Sequence, residues 1–441
     1  MSKHNRTILL MFTLCSSMAL LWGLVQAHSA KDVILDYRIM DLGARCLLQH
    51  RDLYSQDEMI RVYQTEDRIR VTTPPEDGRG IYLATMQVYP PTSELIFAPF
   101  ALLPWPLAYT LWIALTFTFL TLAAFLMWHE AQHYASDPAF YLVCIVLVNS
   151  GVLFGGGNPA GIAVSLCIIA SWCILQQRFM TLGMWCMAVS LLIKPHDGGF
   201  VWLYLLLLGG AARKYAIRSL AITAGLGVGA ILWVSRVSPH WIHELKVNLA
   251  DIAKSYNDPA ASVGAALMVN LQTAIALFWP DPHVYNMISL VIMAPLFLIW
   301  LLLILRYRLT REAVWHGLAS IAVLSLLPIY HRPYDAKILL LMLPACSILW
   351  ARGGLVAWAA MATTLASIIV TSDLPVAALS TFSSHLTATS GMGERLAALL
   401  ETRPASPILL ASGIFYLSAF MHRSIAEEKD PVNAPELQKS T

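Results

Sequence analysis

The sequence predicts an all-α polytopic membrane protein with about twelve transmembrane helices. Three observations carry this prediction. Of the 441 residues, 57% are hydrophobic and only 13% charged, and the mean hydropathy is +0.62, whereas soluble domains run nearer ~45–50% apolar and ~25% charged. Apolar runs of membrane-crossing length recur along the whole chain. Lys and Arg are distributed unequally between the two sets of connecting loops. This composition excludes a cytosolic globular enzyme and a disordered chain. A net charge of +2, from 29 Lys+Arg against 27 Asp+Glu, leaves no basic surplus for nucleic acid. Seven cysteines make an odd count. Cys15, Cys144, Cys167, Cys173, Cys186 and Cys346 lie in apolar stretches and Cys46 in a polar loop, so no disulfide framework is expected. No metal-type spacing occurs, and neither a metal nor a cofactor is expected.

The predicted spans lie at 8–27, 105–127, 139–154, 159–175, 179–193, 198–210, 216–235, 286–305, 313–329, 337–350, 354–372 and 405–421. The stretches 92–103 and 262–279 are marginal, which puts the count between about eleven and thirteen. The first segment is also readable as a signal peptide, because Gln26-Ala27-His28-Ser29-Ala30 offers a small-residue cleavage site. Its long apolar run favours an uncleaved helix. With the N-terminus inside, the cytoplasmic loops collect Lys3, Arg6, Arg178, Arg213, Lys214, Arg218, Arg306, Arg308, Arg311, Arg352, Arg423 and Lys429, and the short outer loops hold only Lys194, Arg332 and Lys337. Both termini are therefore expected in the cytoplasm. Residues 1–423 read as one membrane domain with larger outer loops at about 28–104, 236–285 and 373–404. The polar tail 424–441, with Pro431 and Pro435, reads as disordered. No internal repeat, dinucleotide fingerprint or Walker loop is present.

The polar chemistry gathers in the outer loops. After the first span come Asp32, Asp36, Arg38 and Asp41, and from Met40 apolar residues recur at Ala44, Leu47 and Leu48, the spacing of an amphipathic helix lying on the membrane surface. Asp36 just precedes it. A carboxylate there suits a general base acting at the interface, and equally an N-terminal helix acid favoured by the macrodipole. Asp41, five residues on, points about 140° away in a helix of 3.6 residues per turn, so the two acids cannot face one acceptor. Tyr89-Pro90-Pro91 stops any preceding helix, and Glu94 follows, either as a helix-start acid or in a polar cavity. Ile242, Leu245, Leu249, Ile252 and Tyr256 mark a second amphipathic helix. Two charged turns lie close against spans: Lys194-Pro195-His196-Asp197 and His331-Arg332-Pro333-Tyr334-Asp335-Ala336-Lys337. Charge there is costly without a cavity or partner. Lys194, Arg332 and Lys337 suit a phosphate and His331 a leaving phosphate oxygen. Snorkelling to lipid head groups accounts for such cations as well. In Gly155-Gly156-Gly157-Asn158-Pro159, Asn158 is placed to bond a sugar hydroxyl or merely to make a tight turn.

Taken in order, these landmarks resemble glycosyltransferase family 87 over roughly residues 8–350. Asp36-Tyr37-Arg38-Ile39-Met40 through Ala44-Arg45, with Asp52-Leu53-Tyr54 downstream, resembles the family's early acidic motif. Tyr89-Pro90-Pro91 with Ala98-Pro99-Phe100-Ala101-Leu102-Leu103-Pro104 resembles its YPP segment, Lys194-Pro195 its Lys-Pro turn, and His331 with Tyr334-Asp335 its late His/Tyr/Asp motif. The chain departs from the pattern at Gly157-Asn158, where the family often has Gly-Gln, at His196, where Gln commonly follows Lys-Pro, and at the inserted Arg332-Pro333.

The resemblance implies a GT-C type bundle in the cytoplasmic membrane, with the active site on its outer face. It implies inverting transfer of a sugar, mannose in most of the family, from a polyprenyl-phosphate donor to a lipid or glycan acceptor. Asp36 matches the catalytic aspartate, and Lys194, His331, Arg332 and Lys337 would hold the donor phosphate. Asp41, Tyr89, Glu94, Asn158, His196 and Asp335 are the candidates for sugar or acceptor binding. The expected partners are that donor, its acceptor and membrane lipids, with no nucleic acid. Two rivals stay open: a transporter or flippase of a lipid-linked glycan, and a GT-C enzyme acting on a protein or whole-glycan acceptor.

Overall fold

A computed structural model describes residues 3–29, 36–66, 85–255, 257–260, 265, 267–373 and 391–429. Among these residues the chain is helical, with no strand. In order the helices are α1 (Lys3–Ser29), α2 (Asp36–Leu48), α3 (Gln56–Glu66), α4 (Pro91–Ala101), α5 (Trp105–Ala131), α6 (Ser136–Val148), α7 (Gly151–Gly156), α8 (Ala160–Leu175), α9 (Met180–Ile193) and α10 (Pro195–Leu207). They continue as α11 (Gly210–Val237), α12 (Trp241–Ser255), α13 (Leu271–Ala276), α14 (Pro282–Arg306), α15 (Arg311–Leu324), a 3-10 helix (Asp335–Met342), α16 (Leu343–Ala351), α17 (Gly354–Val370), α18 (Met392–Thr402) and α19 (Ala405–Lys429).

Among the described residues, six stretches are long and apolar enough to cross a membrane: Lys3–Gln26, Trp105–Ala131, Ser136–Gly156, Gly210–Val237, Pro282–Arg306 and Ala405–Ile425. Three apolar helices, Ala160–Leu175, Met180–Ile193 and Gly354–Val370, are shorter. The protein is thus a multi-pass membrane protein. Its long helices are apolar on all sides rather than amphipathic, as expected where one face meets lipid and the other meets neighbouring helices.

Two packing devices fix the region around the site. Gly23 of α1 faces Gly151 and Gly155 of α7 so closely that a Cβ on Gly23 would lie 2.1 Å from the Gly151 carbonyl oxygen. The Gly151–Gly155 spacing is the small-residue pair that lets membrane helices meet backbone to backbone. Gly157, at φ +63°, ends α7 in the left-handed conformation, and its Cβ would meet Tyr37 at 2.9 Å. Helix α5 clamps this turn: Tyr109 donates to the Gly155 carbonyl and Trp112 to the Gly157 carbonyl, both at 2.9 Å.

The segment after the first span differs from its expected form. Helix α2 begins at Asp36 itself, and every residue from Ile39 to Leu47 is buried, so it is wedged into the protein rather than laid on a surface. Its apolar side packs with α3 and the end of α11 through Leu42, Cys46, Leu53, Tyr54, Met59 and Val234. The marginal stretch 92–103 is the short helix α4, against which α2 packs. Within the marginal stretch 262–279, the described residues include the six-residue α13. Helix α12 spans 241–255 as its periodicity predicts. Helix α19 continues through Lys429, into the tail expected to be disordered. Residues 430–441, and the candidate loop acid Asp32, lie outside the described residues.

Candidate active site

Asp36 is half-buried at the first position of α2. Its neighbour Tyr37 is fully buried among Phe97, Trp105, Tyr109 and Trp112, with ring centroids 5.4–6.1 Å away, and this anchors the start of the helix. Asn158 holds the carboxylate from the other side. Its Oδ1 accepts from the Ala160 backbone N–H at 2.8 Å, capping α8, while its Nδ2 donates to Asp36 Oδ2 at 2.7 Å. The cap fixes which end of the amide faces Asp36. Gly156 lies close enough that a Cβ there would sit 3.5 Å from Asp36 Oδ2.

Lys194 stands at the break between α9 and α10, where Pro195 cannot continue the incoming helix. Its ammonium donates to Asp335 Oδ1 and lies 3.4 Å from Asp197 Oδ2. Asp335 Oδ2 accepts the Arg332 backbone N–H at 2.7 Å, which closes the His331–Asp335 turn. Asp197 Oδ1 lies 3.4 Å from His196 Nε2 and 3.6 Å from His331 Nε2. The two imidazole rings are 5.3 Å apart. Arg332 is held by the Tyr330 hydroxyl and by Asn257 Oδ1, the latter at 3.0 Å.

These groups act on one another electrostatically. Burial raises the Asp36 carboxyl above its ordinary value, opposed by the Asn158 hydrogen bond and by the charges of Arg332 and Lys194. Burial works against the Lys194 charge, but Asp197 and Asp335 hold the ammonium above the usual lysine range. Burial raises the Tyr89 hydroxyl, with Asp36 adding to the effect.

The structure therefore brings together Asp36, Tyr89, Asn158, Lys194, His196, His331, Arg332 and Asp335 from separate parts of the chain. Three expected residues have other partners. The Lys337 ammonium donates to the Asn149 carbonyl at 2.6 Å. Asp41, expected on a solvated face, is 2% exposed and takes a 2.8 Å ion pair from Arg45 one turn on. Glu94 is fully buried, accepts from Gln87 Nε2 at 2.7 Å, and has its carboxyl pushed up by burial and then by Asp41. Sequence reasoning gave no role to Asp197, Asn257, Tyr330 or Tyr334, over whose ring the Lys194 ammonium sits 5.5 Å from the centroid. Asp197 alone had a local signal, since it is three residues from Lys194 at the start of a helix.

A base candidate thus lies within electrostatic reach of two cations, the arrangement needed to deprotonate a hydroxyl while an anionic group departs. The model of glycosyltransferase family 87 matches residues 88–329, more than half of the chain. No curated protein and no solved structure matches it.

Proposed function

We propose that this chain, which belongs to glycosyltransferase family 87 and is a membrane glycosyltransferase, moves mannose from a polyprenyl-phosphate donor to a lipid or glycan acceptor by inverting single displacement. Asp36 takes the acceptor proton as the hydroxyl attacks the anomeric carbon. The bond from that carbon to the phosphate oxygen breaks, and Lys194, His331 and Arg332 hold the departing phosphate. Asn158 keeps Asp36 oriented, and Tyr89, His196 and Asp335 border the sugar. The observation that carries this reading is the Asp36–Asn158 clasp at 2.7 Å within reach of the Lys194 and Arg332 charges.

The three shorter apolar helices, with the pieces 195–207, 311–324 and 335–351, complete about twelve crossings of a GT-C type bundle. The site faces outward from the cytoplasmic membrane, with both termini inside, because Arg178, Arg308 and Arg352 in loops and Arg213 and Lys214 at the start of α11 all fall at the opposite helix ends. An exposed cysteine placed at His240 should react with an impermeant thiol reagent in intact cells, and one placed at Lys214 only after permeabilisation.

A transporter of lipid-linked glycans would need polar groups through the bilayer midplane, whereas here they gather at the helix ends. The test is to supply membranes with radiolabelled polyprenyl-phosphate mannose and follow the label. Transfer to a lipid or glycan fraction is the expected result. Label that crosses the membrane still attached to its polyprenyl carrier would sink the reading.

A further inference from the structure

His331 Nδ1 faces the Ile329 carbonyl oxygen at 3.2 Å. A carbonyl only accepts, so in the neutral ring held this way Nδ1 carries the proton and Nε2 presents a lone pair. That lone pair points across 3.6 Å to Asp197 Oδ1, which is also an acceptor. Neither His331 Nε2 nor either Asp197 oxygen has a hydrogen-bond partner, although both side chains are at most 1% exposed. Buried acceptors facing one another are unfavourable unless something positive lies between them. His196 Nε2 adds a third donor atom 3.4 Å from the same oxygen, and the three ligand atoms fall within 4.8 Å of one another.

We infer that His196 Nε2, Asp197 Oδ1 and His331 Nε2 form a binding site for a divalent transition-metal ion. Bonds of ~2.0–2.2 Å to imidazole and carboxylate put neighbouring ligands of one ion about 3.0–3.5 Å apart; the 3.4 Å from Asp197 to His196 meets this spacing, and the 3.6 Å to His331 needs a small inward shift on binding. A ring N–H held by a backbone carbonyl is the usual support behind a ligating histidine. Two imidazoles and one carboxylate with open positions suit Zn²⁺ and its neighbours better than Mg²⁺ or Ca²⁺.

A divalent ion would add positive charge beside Lys194 and Arg332, and its open positions are where phosphate oxygens would bind. That last placement rests on the donor proposed above, whereas the ligand set does not. The sequence gives no hint of it, because His196 and His331 belong to turns far apart in the chain and share no local spacing.

The test is metal binding without donor. Full-length protein in nanodiscs is stripped with chelator and titrated with Zn²⁺ alone by calorimetry. One equivalent should bind, and His196→Ala, Asp197→Asn and His331→Ala should each weaken it at least tenfold, the lower end of what loss of a supporting group costs a metal site. The His196 side chain is 35% exposed, so His196→Ala removes a ligand without emptying the core, and a melting curve matching the parent protein confirms that it folds. Wild-type protein that takes up no stoichiometric Zn²⁺ overturns the inference and leaves a proton between Asp197 and His331. Equal binding by all three variants overturns it too. Sugar transfer is read separately. Transfer by fully metal-free protein removes the ion while sparing the proposed reaction, and a stoichiometric Zn²⁺ site in a protein that transfers nothing does the reverse.

Discussion

The protein has two polar clusters at opposite helix ends, and they are built differently. At one end, Glu130 Oε1 accepts from Arg311 at 2.7 Å and from Trp315 at 3.1 Å, and its other oxygen accepts from Gln176 at 2.7 Å. Nearby, Arg352 and Arg423 both pair with Glu312. Each carboxylate there is matched by donors, so the cluster ties α5, α8 and α15 together. At the other end, Lys194 serves two acids, and His331 Nε2 and both Asp197 oxygens are left without hydrogen bonds. A cavity of about 640 Å³ lined by Gln176, Arg308, Arg311 and Trp315 lies at the Glu130 end, where the carboxylates are matched and His316 Nε2 is a buried atom without a partner beside Glu312. A satisfied network is a structural fastening. A network with buried, unmatched groups keeps capacity for something it has yet to bind.

The largest expected effect that separates the two ends is Asp36→Asn. The amide is nearly isosteric, and its oxygen can still accept from Asn158. Loss of a general base costs ~10²–10⁴ in rate, so single-turnover transfer should fall by that factor while donor binding and the melting temperature stay close to the parent values. An Asp36→Asn protein that transfers normally would remove Asp36 from the chemistry.

Lys194→Ala comes next and has two consequences. It weakens donor use, and it leaves Asp335 buried without its cation, a change that costs roughly 3–5 kcal/mol when one partner of a buried pair is removed. Lys194→Arg keeps the charge and should retain part of both properties. Donor saturation curves and thermal melts on the two variants separate the roles. A Lys194→Ala protein with altered stability and unchanged donor saturation would make this lysine a fastening like Arg311.

A smaller and more specific effect lies in the pH profile. Burial raises the Asp36 carboxyl above 3.8, while Lys194 and Arg332 oppose the rise. A base works only when ionised, so kcat/KM should fall as pH drops through that raised value and hold above it. Removing the Lys194 charge favours the protonated form and should move the acid limb to higher pH. An acid limb that stays in place in Lys194→Arg and Lys194→Ala alike would show that Lys194 does not act on Asp36.

Much of this contrast was legible in the sequence. The apolar runs gave the helices, and the Lys/Arg asymmetry separated the two ends. The Lys-Pro and His331–Asp335 turns stood out because charge beside a span needs a partner. Pairings between distant segments were not legible. Lys194 meets Asp335 across 141 residues, and no local spacing encodes that. Helix α2 misled for a related reason. Asp41 and Arg45 fall on its polar face, which in isolation reads as solvated, but an i,i+4 ion pair whose arginine also donates to the Leu103 carbonyl can be buried intact. The crossing count stayed ambiguous because several apolar segments are broken by Pro, Gly or a charged turn into helices shorter than a bilayer, as at Lys194-Pro195.

The smallest expected effect on catalysis is also the sharpest check on the comparison. Glu130→Gln keeps the shape of the side chain but replaces one accepting oxygen with an NH₂ group. Arg311 and Trp315 donate to Oε1 and Gln176 to Oε2, so whichever oxygen is replaced, at least one donor loses its acceptor or faces another donor. Leaving a buried donor unmatched costs ~1–3 kcal/mol, and the half-exposed Arg311 side chain, at 50%, can turn to water and recover part of it. The melting temperature should therefore fall measurably. Transfer at a temperature where the variant stays folded should match the parent protein within about twofold, since the effect on the barrier would be well under the ~1.4 kcal/mol that makes a tenfold change. If Glu130→Gln instead lost transfer while remaining folded, the satisfied cluster would be coupled to the reaction, and the distinction between fastening and site drawn from unmatched groups would fail.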